Sequence, residues 1–393
     1  MSRRYEGQNI EQEDLGMAKE KLKVGIVSAN WGALAHLPAW RLLEDDVEVT
    51  AICTSRQETA EAAAVQYDVA RPFWDFEAMC ADPAIDIIDA GTNPILREKM
   101  VATALRAGKH AVNQLPFATS YEAARGLADL QQANGLKGIA APSVVGLPHL
   151  ALMKEMIDAG EIGEVFQVQC SWQLSFFLKI YPGFSYTWFG KDGLGVSAMR
   201  NQGSHLLHAV RQVFGPIKSI VGRLETQLKQ WDLGDGATMA VETDDTAHAL
   251  LRFANGAMGT LITSWTAADA PGFHIDALGS KGRLRLDALQ YPSIATAKLY
   301  HGRPDFRMMP SGSDVPVPER LMTVAGRLVE PHESDAHNGS QRVSIARLFE
   351  GFVRSIRDGS EPVPDFARAA EVQGVIEAVY QSHGQRAWVD LPA

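Results

Sequence analysis

The sequence predicts an α/β domain with a doubly wound parallel sheet, followed by an α+β domain with an antiparallel sheet. Two observations carry this reading. Short apolar strands alternate with helical stretches from residue 23 to residue 141, the pattern of a parallel sheet with helices on both faces. From residue 165 onwards the chain switches to period-two alternation and hairpin turns, the pattern of a sheet with one buried face.

The first element is the stretch KVGIVSANWGALAH, Lys23 to His36. An apolar run (Val24, Ile26, Val27) meets small and polar residues, then a helical pattern of Ala33, Leu34, Leu37 and Trp40. A strand, a tight turn and a helix N-terminus form the cradle in which α/β proteins hold a dinucleotide pyrophosphate. The glycine fingerprint of that cradle reads Ser28-x-Asn30-x-x-Ala33 here, with Gly25 and Gly32 off register. Further strands are expected at Val47–Cys53, Asp86–Ala90, Lys109–Val112 and Gly138–Ala141. Helices are expected at Glu58–Gln66 and Glu98–Ala107, and from Ser120 through Ala133, where Gly135 is a stop signal.

Beyond a helix at Met153–Ala159, the segment Val165–Leu174 alternates, with Phe166, Val168, Cys170, Trp172 and Leu174 on the face expected to be buried. Hairpins are expected between Thr246–Phe253 and Ala257–Trp265 through Asn255-Gly256, and between Phe273–Leu278 and Arg283–Leu286. A helix at Gly203–Phe214 lies between these strands in sequence. Pro304–Asn338 reads as a long loop, and Arg342–Arg357 and Ala367–Ser382 as amphipathic helices. The expected divisions are a polar extension at 1–20, a dinucleotide-binding domain at 21–143 and an α+β domain at 144–393, whose C-terminal helix is free to pack back on the first domain.

Composition narrows the function. Hydrophobic residues make up 46% of 393 and charged residues 21%, as in ordinary globular chains. A net charge of −10 argues against a nucleic-acid or anionic-membrane surface. The three cysteines, Cys53, Cys80 and Cys170, are far apart and form no zinc or disulfide pattern, which points to a reducing, cytoplasmic setting. No apolar run reaches the roughly 18 residues that span a bilayer.

Several segments, taken in order, resemble the glucose–fructose oxidoreductase / inositol dehydrogenase (Gfo/Idh/MocA) family of NAD(P)-dependent oxidoreductases. They are HLPAW at His36–Trp40, AGKHAVNQLPFATS at the family's G-K-H-x-x-x-E-K-P segment, IDAGEIGEVFQV, NQGSH (Asn201–His205) at its D-x-G-x-H segment, DDTAHALLRFANGAMGTLITSW, GSKGRLRLD and IEAVYQSHGQRAWVDLP. The resemblance runs from Lys23 to Leu391. It implies a Rossmann domain, then an α+β domain whose open antiparallel sheet packs in homodimers or homotetramers, a nicotinamide cofactor and a sugar-like ligand. It also exposes departures. The family's catalytic lysine of E-K-P is Leu115 here, its glutamate is Gln114, and the aspartate of D-x-G-x-H is Asn201. Of that trio only the histidine, His205, remains. The combined loss resembles the branch containing the galactose-regulon repressor of yeasts, which keeps the fold and a dinucleotide site but acts as a sensor.

For the cofactor, Ser28, Asn30, Trp31, Thr92, Asn93 and Gln114 form the expected binding set. Ser28 offers a hydroxyl to phosphate, and Asn30 tolerates a left-handed backbone. Where a carboxylate would bind the ribose 2′-hydroxyl, the chain has Thr54, Ser55 and Arg56. A hydroxyl pair and a guanidinium suit a 2′-phosphate, so NADP is preferred, with NAD the other possibility. The alternative is that these three residues cap the next helix. For the reaction, Leu115 and Asn201 cannot move a proton and His205 can. Alternatively, His205 is a helix-start histidine bonded to backbone. His205 and His208 have no third ligand at a metal-binding spacing, so no metal is expected. Tyr186, Trp188 and Arg200 are the substrate candidates, with a core role as the alternative for the aromatics. Two functions stand side by side: an NADP-dependent oxidoreductase on a sugar or polyol using His205, and a non-catalytic NADP-binding regulator.

Overall fold

A computed structural model describes residues 20–180, 182–234, 236–305, 312–330 and 341–392. The expected polar extension lies almost wholly in residues 1–19, outside the described residues. In the first domain, strands and helices alternate: β1 (Leu22–Val27), α1 (Leu37–Arg41), β2 (Val47–Cys53), α2 (Gln57–Tyr67), β3 (Arg71–Phe73), α3 (Phe76–Ala81), β4 (Ile87–Ala90), α4 (Pro94–Arg106), β5 (His110–Asn113), α5 (Tyr121–Ala133) and β6 (Gly138–Ala140). All six strands pair in parallel in the order β3-β2-β1-β4-β5-β6. The chain reverses direction across the sheet between β1 and β4, and this opens a crevice at their carboxyl ends. Helix starts follow capping chemistry: Ser120 Oγ accepts from the Ala123 N–H at 3.1 Å, and Asn93 Oδ1 from the Leu96 N–H at 3.1 Å. Strand β3 escaped the sequence pattern because it has three residues, one of them proline.

The second domain contains α6 (Pro148–Asp158), β7 (Val165–Gln173), α7 (Ser204–Phe214), β8 (Ile217–Glu225), β9 (Gln230–Asp232), β10 (Thr238–Ala240), β11 (Thr246–Phe253), β12 (Met258–Ser264), β13 (Gly272–Gly279), β14 (Arg283–Ala288), β15 (Lys298–Gly302), β16 (Ser313–Val315), β17 (Thr323–Val324), β18 (Arg327–Leu328), α8 (Arg342–Asp358), α9 (Phe366–Gln385) and β19 (Val389–Asp390). Nine strands form one sheet in the order β16-β15-β14-β13-β7-β12-β11-β8-β19. The sheet is mixed rather than wholly antiparallel, because β7 and β12 run parallel at its centre. Parallel neighbours need a crossover, and the excursion between these strands, which carries α7, supplies it. Every other pair in the sheet is antiparallel.

One face of this sheet is buried and the other is open. In β11, Ala247, Ala249, Leu251 and Phe253 are buried in a cluster with Leu206 and Leu207 of α7 and Val372, Val375 and Val379 of α9. The intervening His248, Leu250 and Arg252 face outwards. Phe166, expected on the buried face of β7, is 51% exposed near the start of the strand. The segment expected as a long loop at Pro304–Asn338 holds β16 and the β17–β18 pair in its described part. Residues 306–311 and 331–340 of it lie outside the described residues. No helix among the described residues is long and apolar enough to cross a membrane.

The last two helices tie the halves together. On α8, Phe349 stacks on Trp40 of α1 at 4.0 Å between ring centroids and meets His36 edge-on at 5.3 Å. Phe366 of α9 packs edge-on against Phe117 at 4.9 Å, while Val372, Val375 and Val379 belong to the second-domain core. Each side of the crevice is therefore braced by the same C-terminal segment. Replacing Phe349 by Ala removes a fully buried ring from this joint. The expected loss is about 3–5 kcal/mol of unfolding free energy, measurable by chemical denaturation.

Candidate active site

The turn after β1 replaces glycine but keeps its geometry. Ser28 sits at φ 91°, the left-handed region that glycine adopts freely. Its N–H donates to the Cys53 carbonyl at 2.9 Å, its carbonyl accepts from Ala33 at 3.2 Å, and its Oγ accepts the Asn30 N–H at 3.1 Å. The left-handed residue is therefore Ser28, and Asn30, expected to take that role, does not. Asn30 instead joins the domains: Tyr186 Oη donates to its Oδ1 at 3.2 Å, and its Nδ2 donates to Ser185 Oγ at 3.4 Å. Gly32, off register in sequence, is placed by packing. A Cβ on Gly32 would lie 2.7 Å from the Val27 carbonyl oxygen, and one on Gly91 would lie 2.9 Å from the Gly32 nitrogen. The helix start thus closes onto the ends of β1 and β4.

Beneath this turn lies a buried polar chain. Asp89 at the end of β4 and His36 at the helix start are both fully buried. Asp89 accepts from His36 Nδ1 at 2.8 and 3.0 Å and from Trp40 Nε1 at 2.7 Å. Gln114 Oε1 accepts the Leu115 N–H at 2.7 Å, which turns its amide nitrogen to His36 Nε2 at 3.0 Å. With the Gln114 amide nitrogen donating to Nε2, the ring presents an N–H at Nδ1 to Asp89. Gln114, expected as a direct cofactor contact, also orients the backbone beside Leu115.

The crevice between the domains encloses about 300 Å³. From the first domain it is lined by Ser28, Asn30, Trp31, Thr92, Asn93, Gln114 and Leu115, all named from the sequence. From the second domain come Tyr186, Trp188, Asn201 and His205. His205 is held edge-on to Trp172, 5.7 Å between centroids, and its buried Nδ1 has no hydrogen-bond partner among the described residues. The backbone bond expected as its alternative role is not made at Nδ1. Burial pushes its pKa down to about 3, so the ring is neutral at physiological pH. His208, one turn along, is buried with both ring nitrogens unpartnered among the described residues. No metal-holding cluster of His, Cys, Asp and Glu occurs among the described residues.

Some sequence candidates lie elsewhere. Arg200 is not in the cleft wall: its guanidinium covers the Tyr380 ring at 4.4 Å and donates to the Thr119 carbonyl at 3.2 Å. Thr54, Ser55 and Arg56 stand past the end of β2, outside the described cleft. Thr54 Oγ1 is 2.6 Å from Thr59 Oγ1 within the turn that opens α2, whereas the side chains of Ser55 and Arg56 are exposed.

With this geometry in hand, comparison with known proteins is direct. The family model described as oxidoreductase family, NAD-binding Rossmann fold, matches residues 22–140, and the GFO/IDH/MocA C-terminal domain matches residues 150–285. The chain belongs to the GFO/IDH/MocA oxidoreductase family. Among curated relatives in the family, levoglucosan dehydrogenase of Pseudarthrobacter phenanthrenivorans is 23% identical over 95% of this chain and 99% of its own. D-apiose dehydrogenase of Paraburkholderia graminis is 21% identical over 95% and 90%. The solved structure of levoglucosan dehydrogenase in complex with NADH superposes with a TM-score of 0.84 at 20% identity, covering 95% of this chain and 100% of that one.

Within the family fold, sequence reading missed much of the second-domain wall: Phe176, Phe189, Trp265, Tyr291 and Gln341 all line the cleft. Trp172 was read only as a buried strand residue. Their one shared signal is position, since Trp172, Trp265 and Tyr291 occur at or just past strand ends that face the crevice.

Two predictions follow from this geometry. Ser28→Val, β-branched at a left-handed position, is expected to destabilise the fold by about 2 kcal/mol, whereas Ser28→Gly folds as well as the parent; thermal melts of both variants check this. For pH, the folded-state values of His205 and His208 fall to about 3 from 6.5. Between those pH values the unfolded chain binds protons that the folded chain excludes. Stability therefore falls on acidification below 6.5, by about 1.4 kcal/mol per pH unit for each ring. Urea titrations from pH 7 to 5 measure the slope, and His208→Leu is expected to flatten it.

Proposed function

We propose that this protein is an NADP-preferring oxidoreductase acting on a hydroxyl of a sugar, polyol or related small hydroxy compound. The observation that carries the reading is the single cleft into which the carboxyl ends of β1, β4 and β5 and the start of α7 all open. The cradle fits a dinucleotide. Its turn adopts the left-handed conformation at Ser28, side chains larger than hydrogen are excluded at Gly32 and Gly91, and Trp31 has a buried Nε1 with no partner among the described residues. Ser28, Asn30 and Trp31 would hold the pyrophosphate side, and Thr92, Asn93 and Gln114 the nicotinamide side. Thr54, Ser55 and Arg56 would take a 2′-phosphate, since an exposed guanidinium beside two hydroxyls pairs with an anion. A nicotinamide dinucleotide held by these residues would supply hydride-transfer chemistry to a substrate carbon in the cleft.

On this reading His205 receives the hydroxyl hydrogen bond, with Asn201 holding a neighbouring oxygen and Tyr186 and Trp188 stacking on the ring. The relatives named above carry sugar names, which supports the substrate class. The half-open face of the second-domain sheet supports assembly as a homodimer or homotetramer.

A specific observation favours a second reading, a non-catalytic NADP-binding regulator like the yeast galactose-regulon repressor. Leu115 and Asn201 carry no proton-transfer group, and His205 has no carboxylate partner among the described residues and is a weak base. Titration with NADPH and NADH, followed by a turnover screen over sugars and polyols, separates the two. NADPH is expected to bind at least tenfold tighter, and Arg56→Ala to erase that margin while sparing NADH, an effect of about 1.4 kcal/mol. Equal dissociation constants remove the NADP preference. Turnover lost in His205→Ala with cofactor binding intact supports the enzyme; binding without turnover on any substrate supports the regulator.

A further inference from the structure

We infer that the second-domain half of the cleft holds a nitrogen cation: a cyclic iminium of sugar-ring size, or the amine formed from it. This rests on the dinucleotide reading above and names a substrate class for the same site. Two independent observations lead to it.

The first is charge. Among the described residues lining the cleft, Arg97 is the sole charged side chain, and it is committed to the first domain. Its Nε donates to Asn113 Oδ1 at 2.8 Å, and its terminal nitrogens donate to the backbone carbonyls of Thr92 and Pro116. The facing wall is built from Trp172, Phe176, Trp188, Phe189, Trp265 and Tyr291. Aromatic quadrupoles attract cations, most strongly where water is excluded. An acceptor is also waiting: Gln341 is 2% exposed, lines the cleft, and has a buried Oε1 with no partner among the described residues. An N–H of a bound ammonium satisfies it.

The second is proton chemistry. Oxidising an alcohol or reducing a ketone moves a proton as well as a hydride; Leu115 and Asn201 have no group that takes it, and the buried His205, its Nδ1 unpartnered among the described residues, is a weak base. An iminium carbon needs no such group. It accepts hydride from the reduced nicotinamide dinucleotide, a C–H bond forms, and the C=N π pair becomes the nitrogen lone pair. The positive charge passes to the oxidised dinucleotide, so atoms, electrons and charge balance with no acid. A carboxylate at position 201 would stabilise the cation more before hydride addition than after it, which raises the barrier. An ammonium at position 115 would repel the ligand outright. Leu115 and Asn201 are then suited to a charged substrate rather than being losses.

The test compares two molecules of one shape. 1-Deoxynojirimycin at pH 6 carries a protonated ring nitrogen where 1,5-anhydroglucitol has a neutral ring oxygen. Both are titrated by tryptophan fluorescence and calorimetry into the full-length protein, with and without NADPH. The iminosugar is expected to bind at least tenfold tighter. Leu115→Lys is expected to erase that margin while keeping the affinity for 1,5-anhydroglucitol, and Trp188→Leu to weaken the iminosugar at least fivefold. Equal affinities, no binding of either ligand, or a margin that survives Leu115→Lys overturns the inference. If Leu115→Lys does not fold, Asn201→Lys repeats the charge test at a less buried position. Failure of NADPH to bind is scored by its own titration and overturns the dinucleotide reading, whereas the charge margin in cofactor-free protein is judged separately.

Discussion

The Asp89 carboxylate is the fixed point of the crevice. It is fully buried at the end of β4 and is compensated by donors from the first helix, His36 and Trp40. A buried carboxylate without such partners would be prohibitive, so the helix start cannot rotate or slide without breaking the pairing. Through His36 the constraint reaches Gln114 and the backbone of Leu115 on β5. Through Trp40 it reaches Phe349 on α8, a segment more than 300 residues further along the chain. One carboxylate thus sets the positions of the pyrophosphate turn, the chain at Leu115 and the C-terminal brace.

The second domain contributes shape and polarity more than reactive groups. Its mixed sheet brings strand ends to the crevice, and the parallel step between β7 and β12 puts Trp172 and Trp265 on the same side of it. The α7 start delivers Asn201 and His205 to that wall. Since His205 is held neutral by burial and Asn201 is neutral by chemistry, the wall has little capacity to exchange protons at physiological pH. Binding there must be governed by ring contacts and a small number of oriented polar atoms. That property separates holding a ligand from transforming one, and it applies equally to an enzyme and to a sensor.

Much of the first domain was legible because its signals are local. The strand and helix spacing from Lys23 to Ala141, the Ser120 cap and the turn at Ser28 are statements about neighbours in sequence. The contacts of Thr54 to Arg56 were less legible, since one turn of chain ties Thr54 to Thr59 at a helix start while leaving Ser55 and Arg56 exposed. Gly32 was misleading in sequence because its requirement comes from the Val27 carbonyl folded back against it by the turn, and that of Gly91 from Gly32 itself, brought close by the pairing of β1 with β4. The aromatic wall was the least legible part: Phe176, Trp265 and Tyr291 carry no local signal of a site, and only the folded chain brings the ends of β7, β12 and β14 to one crevice. Arg200 showed the reverse, a residue with suitable chemistry whose guanidinium is held by the Tyr380 ring.

By itself, the sequence determined the two-domain order, the parallel first sheet, the modified turn at Ser28 and the absence of a proton-transfer group on Leu115 and Asn201. These depend on residue identity and on periodicity within single elements. Only the tertiary structure decided that Asp89 is the anchor, that His205 is neutral, and that the opposing wall is aromatic and nearly free of charge. Those properties arise from burial and from contacts between segments hundreds of residues apart, which local patterns do not encode.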